Sequence, residues 1–115
     1  MKKITTVINI VDAPLNWQES LKYYYCGRLK CYNNIHNFGN PYRVHIHGTR
    51  ENCIKKFKAD FDKSPSYQKL VLRILSGKIL LCHCKPKICH CDVLADYCNA
   101  NQVEINYKLQ GLNDN

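Results

Sequence analysis

Positions 4 to 10, Ile-Thr-Thr-Val-Ile-Asn-Ile, alternate partly between apolar and polar side chains and are rich in β-branched residues. They predict a first strand, ended by Asp12-Ala13-Pro14. Three consecutive tyrosines within Lys22 to Cys26 predict a second strand that stops at Gly27-Arg28. From Leu29 to Pro41 there is no periodicity, and Asn33-Asn34, Gly39-Asn40 and Pro41 are turn chemistry. Such a loop is long for a compact domain and suggests a task. Val44 to His47 reads as a short edge strand. Thr49 predicts the N-cap of a helix to Lys63, with Cys53, Ile54, Phe57 and Phe61 at helical spacing. A second helix, Ser66 to Ser76, carries Tyr67, Leu70, Val71, Ile74 and Leu75 on one stripe and stops at Gly77.

Ile79-Leu80-Leu81 is a continuous apolar run, the pattern of a strand covered on both faces. Cys89 to Asn99 places His90, Val93, Leu94, Tyr97 and Cys98 on one side of an amphipathic helix. Gln102 to Tyr107 predicts a last short strand, and Gln110 to Asn115 a disordered tail. Strands separated by helices, one of them apolar on both faces, give a small single α/β domain over residues 1–109.

Seventeen Lys and Arg against nine Asp and Glu leave a net charge of +8, which points to an anionic partner: nucleotide, phosphate or nucleic acid. Eight cysteines raise the question of a disulfide scaffold. The stretch after Met1-Lys2-Lys3 contains Thr5, Thr6, Asn9 and Asp12, so it lacks the unbroken apolar core of a signal peptide. No run is apolar enough to span a bilayer. The expected home is the cytoplasm, where thiols are reduced, metal-bound or catalytic.

The densest chemistry is Cys82-His83-Cys84-Lys85-Pro86-Lys87-Ile88-Cys89-His90-Cys91. One reading makes Cys82, Cys84, Cys89 and Cys91 thiolate ligands of zinc. Their one-residue separations are tighter than usual, and four ligands on one ion require the local chain to bend around it. The other reading takes a strand ending at Cys84, a basic loop and a helix beginning at Cys89-His90 as an anion site. Lys85 and Lys87 add charge there, the helix dipole lowers the pKa of Cys89, and His90 serves as acid, base or phosphate contact. Cys89, His90 and Cys84 are then the candidate catalytic residues. Against both stands simple core filling, the best account of Cys53 and Cys98.

Elsewhere, Gly27 allows close backbone approach while Arg28 reaches an anion. Gly39-Asn40-Pro41 is a constrained turn. His45 and His47 share a face of the expected edge strand and read as surface imidazoles. Cys26 and Cys31 frame the second-strand loop and are candidate ligands, but nothing in their spacing supports that role. Alternate members of Tyr23-Tyr24-Tyr25 face the core.

The segment His83-Cys84, five residues, then His90 is similar to the loop of cysteine phosphatases and rhodanese-like proteins. Those place arginine where His90 stands, and its loss removes the bidentate phosphate clamp. More of the chain resembles a family of small phage and bacterial proteins, domain of unknown function 4326. The resemblance rests on Tyr25-Cys26-Gly27-Arg28, Phe38-Gly39-Asn40-Pro41-Tyr42, Gly77-Lys78 through Cys82-His83-Cys84-Lys85-Pro86 to Cys89-His90, and Asp92-Val93-Leu94. At Cys91 the family usually has glycine, so this thiol is a departure. The stretch from Leu80 to His90 also resembles domain of unknown function 488, which follows Cys-His with arginine. The resemblance implies a three-layer, Rossmann-like α/β fold with a mostly parallel sheet. In it Gly27-Arg28, Gly39-Asn40-Pro41 and Cys84/Cys89-His90 converge at one sheet edge, where open α/β sheets bind ligands.

The expected function is binding of a nucleotide-like or phosphate-bearing ligand at the carboxyl edge of the sheet by Gly27, Arg28, Asn40, Lys85 and Lys87. Hydrolysis or group transfer on that ligand is the reaction class to test. Two alternatives stand beside it: a non-catalytic, zinc-stabilised nucleic-acid-binding module, and a viral-type protein–protein interaction protein.

Overall fold

A computed structural model describes residues 3–28 and 37–101. The expected strand from Gln102 to Tyr107, the tail at 110–115, Cys31 and most of the long loop lie outside the described residues. Strand β1 (Thr6–Asn9) leads through two short 3-10 turns, Ile10–Asp12 and Trp17–Glu19, to β2 (Tyr23–Tyr25). Helices α1 (Arg50–Asp62) and α2 (Pro65–Leu75) follow, then β3 (Ile79–Cys82) and α3 (His90–Ala100).

The chain crosses over through α1 and α2 and inserts β3 between the two earlier strands, giving the order β1-β3-β2 with both pairings parallel. A central strand has no solvent-facing side, which is why Leu80 and Leu81 are both fully buried and why the sequence there is continuously apolar. Thr5 pins the amino end of the sheet. Its N–H donates to Asn99 Oδ1 at 2.8 Å, its carbonyl accepts from Asn99 Nδ2 at 3.0 Å, and its hydroxyl accepts from the Gly77 N–H at 2.8 Å.

The helices form as their sequences direct. Thr49 Oγ1 accepts the Asn52 N–H and caps α1, and Pro65 occupies the first turn of α2, where its missing N–H is harmless. Phe57 and Phe61 of α1, Val71, Leu72 and Leu75 of α2, and Leu94, Ala95 and Cys98 of α3 share one cluster with Leu80 and Cys82 of β3. Burying each large apolar side chain contributes about 1.5–3 kcal/mol, so this shared cluster binds helices to sheet. Within it, Phe61 meets Tyr97 edge-on at 5.0 Å, joining α1 to α3. The structure is thus the small single-domain α/β fold with a parallel sheet that the sequence predicts.

Residues 44–47 are not an edge strand. The Ile46 and His47 N–H groups both donate to Arg43 O, and His47 Nδ1 accepts the Arg43 N–H at 2.8 Å. A closed turn results, with His45 at φ 73°. Local hydrogen bonds from a side chain outcompete sheet pairing here, and His47 is used up in making them.

Candidate functional site

Parallel pairing puts the carboxyl ends of all three strands together, at Asn9, Tyr25 and Cys82. The residues that follow β2 and β3 therefore meet. Asn9 Nδ2 reaches across the edge to donate to Lys85 O at 2.8 Å and holds the loop after β3; its Lys85–Pro86 peptide bond is cis. A cleft of about 480 Å³ opens at this edge. Gly27, Arg28, Asn40, Cys84, Cys89 and His90 all line it, as does Cys82.

Two glycines make the convergence possible. A side chain at Gly39 would begin 2.7 Å from Gly27 O, and one at Gly27 would begin 2.1 Å from Tyr25 Oη. The two turns pack backbone against backbone, a distance only glycine allows. His90 locks them from below. It is 8% exposed, and its Nε2 lies 2.8 Å from both Cys26 O and Phe38 O. Two carbonyl partners require a proton on Nε2, leaving the Nδ1 lone pair toward Cys89 Sγ at 3.6 Å. Burial lowers the His90 pKa, so the ring is neutral. The acid–base role expected of His90 gives way to positioning, because its N–H is committed to the backbone.

The thiols divide. Cys82, Cys89 and Cys91 are buried, with their sulfurs all within 4.8 Å of one another, and they could hold a metal ion. Cys82 ends β3. Cys89, extended at φ −148° and ψ 152°, caps α3 and turns its sulfur back over the first turn, where it accepts the Cys91 N–H at 3.5 Å. The bending that a shared ion requires is supplied by residues 83–88. Cys84 does not join: it is only half-buried and lies in the cleft lining.

Hydrogen bonds received from the Cys89 and Cys91 thiols lower the Cys82 pKa to about 2, against the cost of burial, with help from the Lys85 and Cys84 N–H groups. Donating to Cys82 pushes Cys89 up, and Cys91 is pushed up chiefly by Cys26. The helix dipole was expected to lower the Cys89 pKa; its contact with Cys82 and its burial act in the opposite direction.

The start of α3 is also not an open anion site. Cys89 N–H donates to Asp92 Oδ2 at 3.1 Å, and Asp92 places a carboxylate in the first turn. Lys85 pairs with Asp92 Oδ1 at 2.6 Å rather than facing the cleft, and Lys87 is not part of the lining. Asn40 lines the cleft with its amide engaged: Oδ1 accepts the Tyr42 N–H and Nδ2 donates to Cys53 O. Cys98 is buried within the hydrophobic cluster, as a core-filling thiol should be, whereas Cys53 is buried outside that cluster, in the cleft lining, with its Sγ 3.9 Å from Gly48 O.

Two residues escaped the sequence reading, and a third, Cys26, is set aside there by its spacing. Arg43 and Arg50 join Arg28 in the cleft, and Cys26 lies buried beside Cys91. Arg50 did leave a signal. It is the first residue of α1, where a cation opposes the helix dipole, so its position asks for an external reason. Cys26 left none in its spacing, because strand pairing rather than sequence proximity brings it in.

No helix among the described residues is long and apolar enough to cross a membrane. No solved structure matches the chain. A relative, an uncharacterised 12.4 kDa protein from the nrdA-td intergenic region of Enterobacteria phage T4, is 42% identical over 71 residues. That match covers 57% of this chain and 66% of the phage protein, just under two thirds of its length. A family model, Domain of unknown function (DUF4326), matches residues 13–100, which include every described element of the cleft, and the chain belongs to that family.

Proposed function

We propose that this protein binds a phosphate-bearing, nucleotide-like ligand in the cleft at the carboxyl ends of its parallel sheet. One observation carries the reading: Arg28, Arg43 and Arg50 line a cleft with no Asp or Glu in its lining. Among the described residues no ion pair involves any of the three. Guanidinium forks present planar, paired donors that match phosphate oxygens, and three of them unpaired around one concavity favour an external anion. Tyr42, Ile46, Ile54 and Ile88 supply an apolar wall, and Ile46 and Ile88 are 69% and 47% exposed. A flat base beside a phosphate fits that division, and the volume is that of a small-molecule site.

The neighbouring cavity, about 560 Å³, shares Arg28, Asn40 and Arg43 but includes the Asp60 carboxylate. It is less suited to an anion. The geometry favours binding over turnover, since the His90 Nε2–H is committed inward to two backbone carbonyls. Under the cleft, the thiol donors of Cys82, Cys89 and Cys91 match zinc as the ion they would hold.

Calorimetric titration with adenosine 5′-monophosphate and with inorganic phosphate tests the reading. The expected result is one saturable site per chain, tighter for the nucleotide and weakened by added salt. Absence of saturable binding by both probes overturns it. Binding confined to long oligonucleotides, with a steep salt slope, replaces it with the nucleic-acid reading.

A further inference from the structure

We infer that Cys26 completes a four-thiolate zinc site with Cys82, Cys89 and Cys91, and that the bound ion holds the end of β2 from which Arg28 projects. The inference deepens the zinc assignment above, and it is independent of the anionic ligand.

The argument begins with register. Tyr25 of β2 pairs with Leu81 of β3, so Cys26 and Cys82 occupy the next rung. The ladder continues that far, because the Cys26 N–H donates to Leu81 O at 3.0 Å. Side chains alternate along strands, so Cys26 follows Tyr24 and Cys82 follows Leu80 to the same side, on strands about 4.8 Å apart. Cys26, Leu80 and Cys82 belong to one buried cluster with Cys89 and Cys91, and Tyr24 packs against it. His90 repeats the measurement from the helix side: its Nε2 lies 2.8 Å from Cys26 O and 3.8 Å from Cys91 Sγ.

A tetrahedral ion with Zn–S bonds of about 2.3 Å sets its sulfurs roughly 3.8 Å apart. Three of the sulfurs already lie within 4.8 Å of one another, so a contraction of about 1 Å or less seats them on the ion. Their surroundings suit thiolates. The Cys91 N–H donates to Cys89 Sγ at 3.5 Å. Such outer-shell donors are what thiolate ligands need. Without an ion, thiolates gathered in this buried cluster carry the cost of uncompensated charge, since the ammonium of Lys85 is held by Asp92. A divalent cation removes that cost, and its binding displaces the remaining thiol protons to solvent.

Cys84, placed in the metal set by sequence spacing, is replaced by Cys26. The distinction is testable with metal alone. Full-length protein, stripped under reducing conditions and loaded with cobalt(II) without oxygen, is expected to take up one ion per chain with sulfur-to-cobalt charge-transfer absorption of four thiolates. Cys26→Ser is expected to lower that absorption by about a quarter. It should weaken affinity by more than the ~10–100-fold that loss of an outer-shell partner costs. Cys84→Ser should change neither. As a second measurement, alkylation of zinc-loaded wild-type protein should spare Cys26, Cys82, Cys89 and Cys91 and modify Cys84, with protection lost on chelation. This reading stands even if the Cys26 variant fails to fold. Absence of stoichiometric metal, a three-thiolate spectrum unaffected by Cys26→Ser, or protection of Cys84 in place of Cys26 overturns the inference. None of these outcomes bears on nucleotide binding, which has its own titration.

Discussion

The floor and the rim of the cleft are built on opposite terms. In the floor, every polar group faces another group of the protein: His90 holds two carbonyls, the thiols hydrogen-bond among themselves, and Asp92 holds both Cys89 and Lys85. In the rim, Arg28, Arg43 and Arg50 stand without a carboxylate partner among the described residues. Groups satisfied internally hold a shape, and groups left unsatisfied at the same place await something from outside. The residue types alone would have suggested the reverse, since cysteine and histidine read as chemistry and a scattered arginine as surface.

The sharpest way to break that comparison is His90→Ala. It removes the N–H that Cys26 O and Phe38 O share, at about 1–3 kcal/mol for a buried polar group that loses its partner, and opens a cavity against Phe57. Denaturant unfolding should show a loss of about 3 kcal/mol or more. Because the role is positional, His90→Gln should recover part of the loss through its amide donor. A His90→Ala protein of wild-type stability would place His90 with the rim rather than the floor. Gly39→Ala comes next. Its added carbon meets the Gly27 carbonyl at 2.7 Å, and parting the two turns should cost about 1–3 kcal/mol and weaken nucleotide binding together with stability.

Arg50→Ala should behave in the opposite way. Losing a charged hydrogen bond to phosphate is worth about 1.5–3 kcal/mol, roughly a ten- to hundred-fold loss of nucleotide affinity. The unfolding midpoint should stay put or rise slightly, because a cation leaves the amino end of α1. Equal losses in stability and affinity would erase the distinction between rim and floor.

The fold was legible wherever periodicity was strong. Phe57 and Phe61 at helical spacing, and the unbroken Ile79-Leu80-Leu81, need only local pattern to be read, and each lies where that pattern puts it. Residues 44–47 misled because the alternation of Val44, His45, Ile46 and His47 mimics a strand, while the hydrogen bond from the Arg43 N–H to His47 Nδ1 is invisible in composition. The site was legible as a place but not as a set of roles. The family resemblance implied that Gly27-Arg28, Gly39-Asn40-Pro41 and Cys84/Cys89-His90 meet at one sheet edge. It could not say that Cys26 shares a rung with Cys82, or that Cys84 turns out and Lys85 turns aside. Those depend on register and on one carboxylate.

That carboxylate gives the smallest effect and the finest test. Lys85 looks like the phosphate lysine of a strand–loop–helix site, yet its ammonium is 2.6 Å from Asp92 Oδ1, with both side chains about a third exposed. A pair so open to water contributes about 0–1 kcal/mol. Lys85→Ala should therefore shift stability by no more than that and leave nucleotide affinity unchanged. The double variant with Asp92→Asn isolates the pair. If Lys85 serves only Asp92, the second substitution should add the loss of the Asp92 cap on the Cys89 N–H and nothing to binding. If Lys85 instead swings to a bound phosphate, Lys85→Ala should lower affinity several-fold, and Asp92→Asn alone should raise it by freeing the ammonium. Opposite signs on one titration then decide whether Lys85 belongs to the floor or to the rim.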